Sequence, residues 1–130
     1  MVTDPISDLI NILKTGSVAR KETVALPHSA LKESILEVLQ QEGFVKAYSR
    51  KGKAVQKTIE VELACDGGKP KISGTARMSK PSKRSYLGFK DIHPVRQGFG
   101  RLVMSTPKGI LTDTAARKER VGGEPLFKIW

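Results

Sequence analysis

The chain has 130 residues, enough for one compact unit or two small lobes sharing a core, and 38% are hydrophobic, which excludes wholesale disorder. Twenty-three Lys and Arg stand against 13 Asp and Glu, a formal charge of +10, while no apolar window is long enough to span a membrane. The lone cysteine, Cys65, excludes an internal disulfide and suits a reducing compartment. So large an excess of cations in so short a chain points to a polyanionic partner, of which nucleic acid is the usual one. The excess is lopsided: residues 1–65 hold nine Lys/Arg and eight Asp/Glu, residues 66–130 fourteen and five. A merely solubilising surface gives no reason for that asymmetry, so the second half is the part expected to meet the polyanion.

Thr3-Asp4-Pro5 has the form of a helix start, a capping oxygen followed by a proline whose missing N–H does no harm. This opening has neither the basic start nor the apolar core of a secretory signal, and because it begins directly on a helix cap no transit peptide is expected ahead of the fold. Ile6, Leu9, Ile10 and Leu13 recur at helical spacing, and Gly16 is expected to end the run. Thr23 to Leu26 reads as a short strand closed by Pro27. Ser29 is placed to cap a second helix whose buried face would be Leu31, Ile35, Val38 and Leu39, ending at Gly43. Phe44–Tyr48 and Thr58–Leu63 read as a β-hairpin joined through the basic Arg50-Lys51-Gly52-Lys53. In its second strand Ile59, Val61 and Leu63 alternate with Glu60 and Glu62. The first half is thus α-β-α-β-β.

The turn-rich Cys65-Asp66-Gly67-Gly68-Lys69-Pro70 is the one convincing boundary, with Cys65 expected to fill space at a strand end. Beyond it, Ile72 begins a strand and Tyr86-Leu87-Gly88-Phe89 reads as another. The basic loop Arg77–Ser85 lies between them, and Asp91–Val95 is expected to manage at most one helical turn. Leu102-Val103-Met104 and Ile110-Leu111 then flank a polar tip, Ser105-Thr106-Pro107-Lys108-Gly109, as two strands joined by a tight turn. Thr112 or Asp113 can cap a short helix over Thr114 to Arg120 that Gly122-Gly123 is expected to stop, and Leu126–Trp130 makes a terminal strand, with Trp130 covering core. The expected fold is α+β in two lobes. Residues 1–65 form a near-neutral N-terminal α/β lobe and residues 66–130 a basic, mainly β lobe with a short helix.

No catalytic constellation is complete. Gly98-Phe99-Gly100 lacks the third glycine and following helix of a dinucleotide loop, and Gly52-Lys53 lacks the rest of a phosphate loop. His28 and His93 are far apart, Cys65 is single, and Ser105 has no base or orienting acid at any telling spacing. The chain is therefore not expected to be an enzyme, nor to need a cofactor or metal. By contrast, the Ser105–Gly109 tip offers hydroxyls, an ammonium and a close-approach glycine to phosphate and sugar oxygens. Tyr86, next to Lys83 and Arg84, combines a stacking ring with cations, although spacing alone equally allows a half-buried strand tyrosine. A basic architectural protein would explain the charge but not the hydroxyl tip and glycine pair. A protein-binding scaffold would use the near-neutral first half.

Several segments occur in a telling order: Asp4-Pro5-Ile6-Ser7-Asp8, Pro27-x-Ser29-x-Leu31-Lys32, Glu42-Gly43-Phe44, Gly98-x-Gly100, Ser105-Thr106-x-Lys108-Gly109, Thr112-Asp113-x-Ala115-Ala116-Arg117 and Gly122-Gly123-Glu124. Through them the whole chain resembles the bacterial-type small-subunit ribosomal protein S8 family. The resemblance implies a primary binder of small-subunit rRNA that recognises an irregular hairpin of the central domain and helps assemble the platform. It implies small-subunit proteins five and twelve as neighbours, a monomer when free, and a place in the ribosome of the cytoplasm or of a plastid stroma. RNA contacts carry over onto Ser105, Thr106, Lys108, Gly109, Tyr86, Gly123 and Glu124; Lys83 and Arg84 join them as the cations beside Tyr86, with Thr3, Asp4, Ser29, Lys32 and Lys80 as secondary candidates. Pro107 departs from the family, which usually has a second serine there, and Pro125 and Phe127 stand where an apolar residue and a cysteine are common.

Overall fold

A computed structural model describes residues 5–52, 57–66, 68–79, 83–95 and 98–130. The Thr3-Asp4 cap, Lys53 of the hairpin connection, Gly67 and the candidate Lys80 lie outside them. The chain divides into two compact units, one of Pro5–Ser73 and the other containing Gly74–Trp130.

In the first unit, helices α1 (Pro5–Val18) and α2 (Ala30–Gln41) accompany a sheet of β1 (Thr23–Pro27), β2 (Val45–Lys51) and β3 (Thr58–Leu63), with β3 central and antiparallel to both neighbours. Ile6, Leu9, Ile10 and Leu13 are all buried on α1, as their 3.6-residue spacing requires. Gly16 does not end that helix. It lies within it because a Cβ there would come 2.6 Å from the Val24 side chain, so the glycine lets α1 sit close to β1. On α2 the Ser29 hydroxyl accepts the Lys32 N–H at 3.1 Å, the expected cap. The buried face is Lys32, Ile35, Leu36 and Leu39, whereas Leu31 is 40% exposed and Val38 only half-buried. The stripe is thus rotated from the expected one, because Lys32 lays its aliphatic stem inward and directs its Nζ to the Pro27 carbonyl at 3.3 Å. Gly43, at φ +86°, supplies the left-handed residue after the α2 cap. In β3, Ile59, Val61 and Leu63 are buried, matching the alternation. Arg50 and Lys51 belong to β2 rather than to the connection. The turn-rich boundary forms a minimal hairpin of β4 (Cys65–Asp66) and β5 (Lys69–Pro70), and Cys65 is exposed rather than packed.

The second unit is built on an antiparallel sheet in the order β6 (Thr75–Arg77), β9 (Glu124–Ile129), β7 (Arg101–Thr106), β8 (Gly109–Thr112). Ile72 is buried but precedes the strand it was expected to begin, since β6 starts at Thr75. Tyr86–Phe89 is not a strand. Only Leu87 pairs, through a bridge to Gly123, and Phe89–Asp91 forms a 3₁₀ turn ahead of the expected helical turn. Helix α3 (Asp113–Glu119) follows β8 directly. The Thr112 hydroxyl accepts the Ala115 N–H at 3.2 Å, and buried Asp113 accepts from the Leu102 N–H at 3.2 Å and from Arg117 at 3.3 Å. The helix is stopped by Arg120 in the left-handed conformation (φ 56°, ψ 44°), before the glycine pair. Ile92, Val95, Leu102, Met104 and Ala116 form a buried cluster, with Leu87, Leu111 and Val121 at its margin. Phe127 is fully buried, and Pro125 sits opposite Met104 at a register shift between β7 and β9. That irregularity is what lets a residue without an N–H occupy an interior strand. Trp130 is half-buried over Gly74, where a Cβ would come 2.7 Å from the indole.

Candidate nucleic-acid interface

The β7–β8 hairpin carries the tip. Thr106 and Gly109 pair across it, leaving Pro107 and Lys108 as the turn residues. Gly109 has φ +107°, while Pro107 and Lys108 are not among the positive-φ residues. A ring-fixed φ suits the first turn position and a glycine the last. The Thr106 hydroxyl works inside this turn, donating to the Gly109 carbonyl at 2.8 Å and accepting the Lys108 N–H at 3.2 Å. Half-buried Ser105 makes no side-chain hydrogen bond among the described residues, in contrast to Thr106. Lys108 is exposed and its Nζ lies 3.0 Å from Glu119, a surface pairing that an incoming phosphate can displace at small cost.

Gly122 and Gly123 bring three segments of the chain together. A Cβ on Gly122 would come 2.3 Å from the Leu87 carbonyl, and one on Gly123 would come 2.2 Å from the Ser105 carbonyl. The Leu87 and Gly123 backbones exchange two hydrogen bonds of 2.9 Å. Close backbone contact is therefore the reason for the glycine pair, in place of the helix stop expected of it. The result is a cleft of about 400 Å³ lined by Tyr86, Leu87, Gly88, Ser105, Thr106, Pro107, Gly122 and Gly123. Tyr86 is 77% exposed at its edge, so the half-buried strand tyrosine is excluded. Lys83 and Arg84 are exposed just before it in the chain.

Glu124 is Ser105's neighbour across β7–β9. Its carboxylate accepts the Ser79 hydroxyl at 2.6 Å and meets Arg84 at 3.2 Å, and only 14% of the side chain is exposed. Nothing in the sequence pattern points to Ser79, whose partner is 45 residues away. The candidates of the first unit have structural roles: Ser29 caps α2, and Lys32 is buried with its ammonium on a carbonyl. They belong to the other unit and are not part of the cleft.

Fold and charge define the class: a basic α+β protein with a hydroxyl-bearing cleft, and with no cluster of three or more potential metal ligands among the described residues. The chain belongs to the ribosomal protein S8 family, whose model matches residues 4–130. It is similar to the small ribosomal subunit protein uS8 of Persephonella marina, at 44% identity over all of both chains. It is similar also to that of Rhizorhabdus wittichii, at 42% identity over 99% of this chain and 98% of the relative. The uS8 protein of Mesomycoplasma hyopneumoniae matches at 42% over the same shares. Family membership makes the chain a structural, rRNA-binding protein of the small ribosomal subunit rather than an enzyme.

Proposed function

We propose that the chain is a primary binder of an irregular hairpin in the central domain of small-subunit rRNA, and that it helps assemble the platform beside small-subunit proteins five and twelve. Its reading surface is the cleft of the second unit. The observation that carries this is the convergence of an exposed Tyr86 ring, an open Ser105 hydroxyl and crowded glycine backbone on one concave patch. A regular A-form duplex hides its base edges in a deep, narrow groove, whereas an irregular helix offers unstacked bases and a distinctive backbone. Lys83, Arg84 and Lys108 neutralise phosphates, Tyr86 stacks, and Ser105 donates to or accepts from the folded irregularity. The backbone beside Gly109 and Gly123 approaches closely. The bacterial relatives favour the cytoplasmic ribosome as the place of action.

The test is a salt-titrated binding assay comparing the central-domain rRNA hairpin with a regular RNA duplex and a DNA duplex of equal length. Retention of the hairpin alone as salt rises is the expected result. If all three ligands dissociate together, charge alone drives binding, and a general architectural role replaces site-specific recognition.

A further inference from the structure

Ser79 and Leu87, which bracket the basic Lys83 and Arg84, are tied to Gly123 and the first residues of β9. The Ser79 N–H donates to the Pro125 carbonyl at 3.0 Å, and the Ser79 hydroxyl donates to Glu124 Oε2 at 2.6 Å. That same hydroxyl accepts the Ser85 N–H at 3.0 Å, so one buried oxygen joins Ser79 to Ser85 and to β9. Leu87 pairs with Gly123. Arg84 Nη1 lies 3.3 Å and 3.2 Å from the two Glu124 oxygens, with most of its own side chain exposed.

We propose that Ser79 and Glu124 are positioning residues for RNA recognition: a buried hydroxyl–carboxylate clasp that fixes the segment presenting Lys83, Arg84 and Tyr86 beside Ser105. This rests on the reading of the cleft as an RNA site. A carboxylate on a face that meets phosphates is repelled by them unless it is compensated. Glu124 is compensated by a charge-assisted hydrogen bond and a guanidinium, and it turns inward. Arg84 has donors to spare beyond those facing Glu124, so it can hold a phosphate while staying aligned by the carboxylate. Glu124 acts through Ser79 and Arg84, not as a ligand of the RNA itself.

The experiment compares Ser79→Ala, Glu124→Ala and Glu124→Gln in the full chain, each checked for folding by thermal melting. In the free protein, Ser79→Ala is expected to speed hydrogen exchange at the Ser85 amide and tryptic cleavage after Lys83 and Arg84. Preference for the rRNA hairpin over a regular duplex should fall by about tenfold in Ser79→Ala and Glu124→Ala, the worth of a charge-assisted hydrogen bond. The salt slope in Ser79→Ala should stay as in the wild type, since no cation is removed. Glu124→Gln, which keeps an acceptor for the Ser79 hydroxyl, should recover most of the preference. Ser79→Ala with a lowered melting point but unchanged preference would reduce the clasp to a fold element and overturn the proposal. So would a Glu124→Gln as defective as Glu124→Ala beside a silent Ser79→Ala, which would make Glu124 a direct ligand. If the wild type itself shows no hairpin preference, the RNA reading fails. The clasp is then judged by Ser85 exchange and trypsin alone, where unchanged rates in Ser79→Ala refute it.

Discussion

In the unit Pro5–Ser73 Lys, Arg and His side chains are drawn into local partnerships. Lys32 gives its ammonium to the Pro27 carbonyl, Arg50 and His28 share Glu33, and Lys51 meets Glu60 at 2.8 Å. In Gly74–Trp130 carboxylates turn inward as well: Asp113 is buried at the β8–α3 junction, and Glu124, half-buried, is held by Ser79 and Arg84. That second stretch has twelve Lys/Arg but only four Asp/Glu. With two of its four acids turned inward, fewer carboxylates are left to face a polyanion. A surface meant for a polyanion thus depends on where its few acids go as much as on how many cations it has.

Substitutions can break this contrast, and the largest effect is expected in the first unit. Leu36→Ala removes a fully buried side chain from α2 and should cost about 2–5 kcal/mol in urea unfolding, while leaving the preference for an irregular RNA hairpin intact at temperatures where the protein is folded. A loss of that preference would tie recognition to the first unit. Next come two glycines. Gly123→Ala drives a methyl into the Ser105 carbonyl, so about 1–3 kcal/mol of stability and most of the hairpin preference should go together. Gly43→Ala is strained by its positive φ but meets nothing within 4 Å, so about 1–2 kcal/mol should be lost with preference retained.

Ser105→Ala and Tyr86→Ala should each cost ~1–3 kcal/mol of discrimination, for a lost hydrogen bond or stacked base. Equal losses on cognate and scrambled RNA would remove either residue from the reading set. Smaller still, Lys83→Ala should weaken all RNAs alike and lower the salt slope by about one or less. The last effect lies in the first unit, where partial burial, with Glu37 and Glu33 adding, raises the Tyr48 phenol above its usual 10.0 against the opposing pull of Arg50. The folded state therefore holds this proton more tightly than the unfolded chain. The resulting stability is present below pH 10 and is lost as pH climbs through the raised value. Urea melts across that range should fall more steeply for the wild type than for Tyr48→Phe.

The elements easiest to read in the sequence were those with an unbroken period. The α1 stripe and the β3 alternation are visible because each inward position carries an aliphatic side chain. The face of α2 differs from the expected one because a lysine occupies one inward position, and its charge hides the apolar stem that packs there. The strand β6 carries no period over its three residues, so the lone aliphatic Ile72 draws the expected start three residues too early. At the site, the hydroxyl tip and the glycine pair stood out by composition. Which backbone the glycines admit is a matter of tertiary contact, and so is the pairing of Ser79 with Glu124 across 45 positions. Neither distance along the chain nor residue type carries that information.

The place of β9 in its sheet has a consequence for the order of synthesis. It is the last strand of its unit to be made, yet it lies between β6 and β7, pairing Thr75 with Ile129 and Ser105 with Glu124. Chains fold unit by unit as they emerge, and contacts between distant residues close late. A nascent chain stopped before Gly122 can hold a finished first unit, but it lacks the two glycines, the clasp and the central strand together. The proposed RNA-reading surface is thus expected to form only once this stretch has been translated.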